Sequence, residues 1–251
     1  MSEPLERLLW LAHEIGRADR GLVDLNEGNV SAHLDGDRFL VKASGSQMST
    51  LSADEVVECR ASKILELLDM PLVDSAELDA TLMDARVDKS ARRPSREAAF
   101  HAWLQQVEGI CYVAYCAPAA CLQVLCSPMA ETFSEQRMFP DQVNHTGVAS
   151  VFVPYADPGS PLAREIRGRV TLNQRRGSIR VPRLITLQNR GIIALGATPE
   201  AVLATLLMAE KAARVFVGAA LLNGPLFLKP GQAQKLENPS APSQRPRILK
   251  Q

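Results

Sequence analysis

The apolar positions of this chain alternate between a period near 3.6 and a period of two, which predicts helices and strands in succession. Leu5, Leu8, Leu9, Ala12 and Ile15 fall on one helical face, giving an amphipathic first helix. Val30 to Leu34 and Arg38 to Ala43 flank Asp35-Gly36-Asp37, and an Asp-Gly step between two such runs predicts a β-hairpin. Ser52 is placed to cap a short helix running to Val57. Residues 60–93 are ambiguous: Ile64 to Leu68 suits a strand or a helix, and the charged stretch up to Arg93 has no clear period. Pro94-Ser95 predicts a helix start, with Phe100, Trp103, Leu104 and Val107 on its apolar face. Ile110 to Tyr115 reads as a buried strand, Pro118 as the start of another helix, and Val148 to Val153 as a strand stopped by Pro154. Leu162 to Val170 reads as helix, and Leu184 to Leu187 with Gly191 to Gly196 as a second hairpin. Thr198 caps a long last helix that has Pro199 at its first position and reaches about Leu221.

Hairpins demand an antiparallel or mixed sheet, and the interspersed helices must cover it, so the expected fold class is α/β with helices on both faces. One domain over residues 1–225 is expected. A Pro- and Gln-rich extension, 226–251, follows it.

Composition narrows the function classes. The 251 residues are 46% hydrophobic, enough for one large core. Lys+Arg and Asp+Glu both total 28, which argues against broad affinity for nucleic acid or an anionic membrane. Arg92-Arg93 and Arg175-Arg176 remain local candidates for anion contact, against the ordinary alternative of solvated surface pairs. No apolar run approaches the roughly 20 residues of a membrane span, and Met1 to Arg7 mixes acid with base unlike a secretory leader, so a cytoplasmic location is expected. Cys111, Cys116, Cys121 and Cys126 recur every five residues, a step that rotates thiols apart on helix or strand. They and Cys59 therefore read as buried, reduced thiols rather than a zinc site.

Candidate chemistry lies at the element ends. Gly28 lets backbone approach an anion, and Asn29, Ser44 and Ser95 offer neutral donors beside Gly45. Ser95 stands where a helix begins, a position that favours anions. Arg96 strengthens such a site if its guanidinium points inward. Glu97 precedes His101 by four residues, so the two share a helical face and read either as a proton-sharing pair or as an ordinary surface pair.

Five ordered segments carry a resemblance. They are Gly28-Asn29-Val30-Ser31, Ala43-Ser44-Gly45, Pro94-Ser95-Arg96-Glu97, Pro154-Tyr155-Ala156-Asp157-Pro158-Gly159-Ser160, and Leu187-Gln188-Asn189-Arg190-Gly191 running into Gly196-Ala197-Thr198-Pro199-Glu200. In this order they resemble the class II aldolase/adducin family, over residues 21 to about 218. The resemblance implies a three-layer α/β/α fold with a mainly antiparallel central sheet, and a homotetramer with sites between subunits. It implies a sugar-phosphate ligand held by Gly28, Asn29, Ser44, Gly45, Ser95 and Arg96. It also implies zinc or a similar divalent ion holding an enediolate, and an acid/base glutamate, matched here by Glu97.

The chain departs from that pattern at the metal. Aligning Val113 to Pro118 on the family's H-x-H strand puts Tyr115 and Ala117 at two histidine positions, and Arg190 stands at the third. Neutral Tyr is a poor zinc ligand, Ala is none, and Arg repels a cation. A substitute site would have to be assembled from residues such as Cys116, His145 and Glu97. The expected protein therefore needs no cofactor and binds a small anionic or sugar-phosphate ligand. Two alternatives stay open. One is an active aldehyde-lyase or epimerase using Glu97 with Arg190 and Tyr115, or a relocated metal. The other is an assembly protein whose cleft is plugged by Tyr115 or Arg190.

Overall fold

The computed structural model describes residues 2–70, 73–177, 179 and 181–237. Its sheet has seven strands: β1 (Asn29–His33), β2 (Arg38–Lys42), β3 (Val56–Arg60), β4 (Tyr112–Cys116), β5 (Val151–Val153), β6 (Leu184–Leu187) and β7 (Gly191–Gly196). They lie in the order β3-β2-β1-β4-β7-β6-β5, antiparallel throughout except for the parallel β5–β6 pair at one edge. The α/β class with a mixed, mainly antiparallel sheet is thus observed.

Side chains on a strand alternate faces, so each strand feeds two cores. One face carries Phe39, Val41, Val113, Tyr115, Ile185 and Ile193. It is covered by α2 (Ala61–Asp69), α3 (Ser75–Ala85), α4 (Ala98–Leu104) and α8 (Ser160–Arg175). The other face carries Val30, Ala32, Leu40, Ala114, Cys116, Ile192 and Ala194. It packs under α1 (Glu3–Ile15), α5 (Ala119–Leu125), α6 (Ala130–Glu135) and α9 (Pro199–Ala220). Helix α7 (Pro140–Thr146) lies against α9, and α10 (Pro230–Glu237) lies against α7. The first part of the expected extension is therefore helical; residues 238–251 lie outside the described residues.

Several expectations shift. The helix expected from Ser52 to Val57 is a single 3-10 turn, Ala53–Glu55, because Ser52 and Glu55 close a reciprocal capping box and the chain then enters β3. The ambiguous stretch holds two helices, α2 and α3. The helix expected at Pro94 begins at Ala98, since Pro94 bridges Ala43 as an extended residue. Cysteines 59, 116 and 121 are buried free thiols, as read, but Cys126 is exposed and Cys111 only partly buried.

Candidate functional site

Strand alternation and helix spacing together set the centre of the site. Residues i and i+2 of β1, Asn29 and Ser31, face the α4 side of the sheet, while Val30 and Ala32 face the other. A two-residue strand step and a four-residue helix step are both about 6–7 Å. Glu97 and His101 therefore meet Asn29 and Ser31 in turn. The Asn29 amide donates to Glu97 Oε2 at 3.3 Å, and Ser31 Oγ lies 2.7 Å from His101 Nδ1.

This corrects the reading of Glu97 and His101 as a pair. They do share a face, but each is engaged by the strand rather than by the other. His101 is fully buried and stacked on Phe100, and burial drops its pKa to about 3, so it stays neutral.

Glu97 opens into a cleft of about 790 Å³ at the strand ends, lined also by Gly28, Lys42, Ser44, Gly45, Arg93, Ser95, Arg96, Tyr115, Ala117 and Arg190. Burial raises the Glu97 pKa above the ordinary carboxylate value, opposed by Arg190, Asn29 and Lys42. Arg190 Nη2 is 3.5 Å from Glu97 Oε1, with the two side chains 19% and 20% exposed.

The turn that delivers Arg190 depends on Gly191. A Cβ there would stand 2.4 Å from the Cys116 carbonyl and 3.1 Å from the Tyr115 ring. Its absence lets the β6–β7 turn close against the end of β4. The Tyr115 hydroxyl then donates to the Arg190 carbonyl at 3.2 Å, and the guanidinium lies 6.0 Å from the Tyr115 ring centroid. Burial, with Glu97 nearby, pushes the Tyr115 pKa up, so this hydroxyl keeps its proton.

The other expected residues divide. Gly45 has φ +83°, and a Cβ added to it would meet nothing within 4 Å, so it contributes open space. Gly28 lines the cleft, yet a Cβ on it would meet Val23 at 2.9 Å and the Tyr115 carbonyl at 3.2 Å; its missing side chain is required by the fold itself. Asn29 is fully buried, with its oxygen on the Val30 N–H and its NH₂ on Glu97, rather than offered as a free donor. Ser44 and Ser95 line the cleft. Arg96 also lines it, but its guanidinium forms a two-pronged pair with Asp79 of α3, at 2.8 and 2.6 Å. That is not the free inward cation expected.

Three residues were missed or underweighted. Arg93 reaches Ser44 Oγ at 3.1 Å and Asp79 at 3.3 Å. Its doublet with Arg92 was a signal, and the two diverge: Arg92 pairs with Glu55 on the surface. Lys42 is buried, with its Nζ donating to the Ser46 carbonyl at 2.7 Å and the Ala43 carbonyl at 3.4 Å. Burial lowers its pKa. A lysine at the end of a strand gives no sign in sequence that it turns into a cleft. Asp79 sits in the stretch without a period.

For a metal, the geometry offers little. Cys116 joins the core on the opposite face from Tyr115, and His145 lies on α7, away from the cleft. Among the described residues no three His, Cys, Asp or Glu side chains converge.

An α/β protein with a mainly antiparallel sheet whose strand ends open on a cleft where four cations face Glu27 and Glu97 is the class that fold and site define. The chain belongs to the class II aldolase and adducin family: the family model for the class II aldolase and adducin N-terminal domain matches residues 8–217. Among solved structures, it is similar to the N-terminal class II aldolase domain of a conserved Thermoplasma acidophilum protein. That match has 20% identity and a TM-score of 0.69, and covers 86% of this chain and 95% of that one. It is also similar to YgbL from Klebsiella pneumoniae, at 16% identity and a TM-score of 0.71, covering 93% and 97%. L-fuculose-1-phosphate aldolase from Thermus thermophilus shares 15% identity at a TM-score of 0.62, covering 90% and 100%. These identities speak to fold alone. No curated protein matches the chain, and among the described residues no helix is long and apolar enough to cross a membrane.

Proposed function

We propose that this protein binds a small phosphorylated, sugar-like anion in the Glu97 cleft without the help of a divalent metal ion. The observation that carries this reading is the charge of the cleft. Lys42, Arg93, Arg96 and Arg190 line it against Glu27 and Glu97, in a chain whose net charge is zero. Ser44, Ser95 and the open backbone at Gly45 supply the neutral donors a phosphate needs beside Arg93. The resemblance to sugar-phosphate aldolases points the same way.

The residues do not suit the family's metal. At the three expected ligand positions stand a phenol that burial keeps protonated, an alanine, and a guanidinium already facing Glu97. A fixed guanidinium there occupies the electrostatic role of the cation while excluding one. Its stabilisation of an enediolate is weaker than that of a Lewis acid, so turnover by the usual aldolase route falls by orders of magnitude.

The plugged-cleft alternative is disfavoured. Tyr115 is packed and its hydroxyl is satisfied, but Arg190 Nε is buried without a partner and the cleft of about 790 Å³ stays open beside both. The active-enzyme reading draws on one observation, the raised Glu97 pKa, which suits a proton-moving carboxylate. Calorimetry of glycerol 3-phosphate binding to chelator-treated protein tests the proposal. Binding that Arg93→Met and Ser95→Ala both weaken is expected. Loss of binding on chelation, restored by zinc, contradicts it.

A further inference from the structure

Glu97 heads a short polar ladder that runs away from the cleft. Glu97, His101 and Gln105 stand four residues apart, and their backbones are joined in sequence. The His101 N–H donates to the Glu97 carbonyl at 3.2 Å, and the Gln105 N–H to the His101 carbonyl at 3.0 Å. The Gln105 side chain donates from Nε2 to Ser31 Oγ at 2.8 Å, and the same oxygen lies 2.7 Å from His101 Nδ1. One hydroxyl of β1 therefore ties two successive turns of α4, just beyond the Asn29–Glu97 contact. All three residues are buried, and none of them lines the cleft.

Such a cluster fills a core poorly. His101 Nε2 and Gln105 Oε1 are buried without partners, and each unpaired polar atom costs stability that an apolar side chain would not. What a buried polar contact does supply is register, since its bonds form at one alignment only. Register matters at this place. β1 is bonded on both sides, with Ser31 opposite Val41 of β2 and Val113 of β4, so it is a fixed reference. α4 has seven residues, too few to be stable alone, and its buried Ala98, Ala99 and Ala102 are too small to interlock much with their neighbours. The Asn29 amide has a fixed polarity, because its oxygen accepts the Val30 N–H. Its NH₂ therefore meets Glu97 only while α4 keeps its place.

From this we propose that Ser31, His101 and Gln105 are positioning residues for Glu97, locking α4 on β1 at the one alignment that sets the carboxylate against the Asn29 amide. The charge state of the cleft carboxylate is then governed in part by side chains one and two turns along the helix, outside the cleft.

Carbon-13 NMR titration of the Glu97 carboxyl in the full chain tests this. It needs no ligand, so failure of the phosphate reading would leave its outcome intact. Ser31→Ala removes the shared hydroxyl, and Gln105→Met removes one bond at nearly constant volume. Arg190, Lys42 and Tyr115, the other groups that interact with Glu97, are untouched in both. The Asn29 bond favours the ionised acid, so both variants are expected to raise the Glu97 pKa, Ser31→Ala by about half a unit or more. On an Asn29→Ala background the further rise disappears, because the contact being positioned is already gone. Leu206→Ala, in the core on the opposite face, destabilises the fold but leaves the Glu97 titration as it was. An unchanged Glu97 pKa in either folded variant overturns the proposal. So does an equal rise in Leu206→Ala, or a rise that persists undiminished on the Asn29→Ala background. Should Ser31→Ala fail to fold, Gln105→Met alone decides.

Discussion

Glu97 and Arg190 set each other's behaviour. Arg190 is the largest influence holding the Glu97 carboxyl down against burial. Arg190→Met is therefore expected to raise the Glu97 pKa further, read from the carboxyl carbon shift in an NMR titration; an unchanged or lower value would mean the two side chains do not interact. His101 gives a second test. Its pKa falls from 6.5 to about 3 on folding. Below pH 6.5 the unfolded chain takes up a proton that the folded chain refuses, so this contribution to stability is full above 6.5 and declines as pH drops. The decline is about 1.4 kcal/mol per pH unit at most. Urea unfolding between pH 7 and pH 4.5 should show it, with a shallower slope in His101→Gln; identical slopes would count against a neutral buried His101. Glu97 and Arg190 were visible in sequence because their spacing matched a family pattern. Of the partners that explain them, Asn29 was visible only as a free donor and Lys42 not at all, since which way a strand-end side chain turns is decided by packing across the sheet.

Among elements, the hairpins and the helices α1, α8 and α9 were legible from periodicity, caps and the Asp-Gly turn. β3 was not: its run Val56-Val57-Glu58-Cys59-Arg60 follows directly on the capping box of Ser52, and the box signals a helix whether that helix lasts one turn or four. Nor was the start of α4, because Pro94 suits the first turn of a helix and an extended bridge equally well. The turns make a sharper prediction. Gly191→Ala puts a methyl group against the Cys116 carbonyl, and should destabilise the fold by more than about 2 kcal/mol as well as displace Arg190. Gly45→Ala meets no atom, and should cost about 1–2 kcal/mol from its left-handed backbone alone. Denaturant midpoints of the two variants decide it; equal losses would refute the close approach at Gly191.

At the scale of the whole molecule, a neutral chain concentrates cations at one cleft and partly restrains them. Asp79 of α3 holds Arg93 and Arg96, and Arg96 keeps its carboxyl below the ordinary range. An incoming phosphate competes with Asp79 for these guanidinium groups. Asp79→Asn is expected to tighten glycerol 3-phosphate binding several-fold, most clearly at low salt; weaker binding would mean Asp79 orients the two arginines for the ligand instead. The central claim, an anion cleft that works without a divalent ion, is tested most directly by elemental mass spectrometry of the purified protein, as isolated and after dialysis with added zinc. Metal far below one equivalent per chain in both samples is the predicted result. Near-stoichiometric metal in either would contradict the account, and would direct mutagenesis to the cleft carboxylates Glu27 and Glu97 as its first candidate ligands.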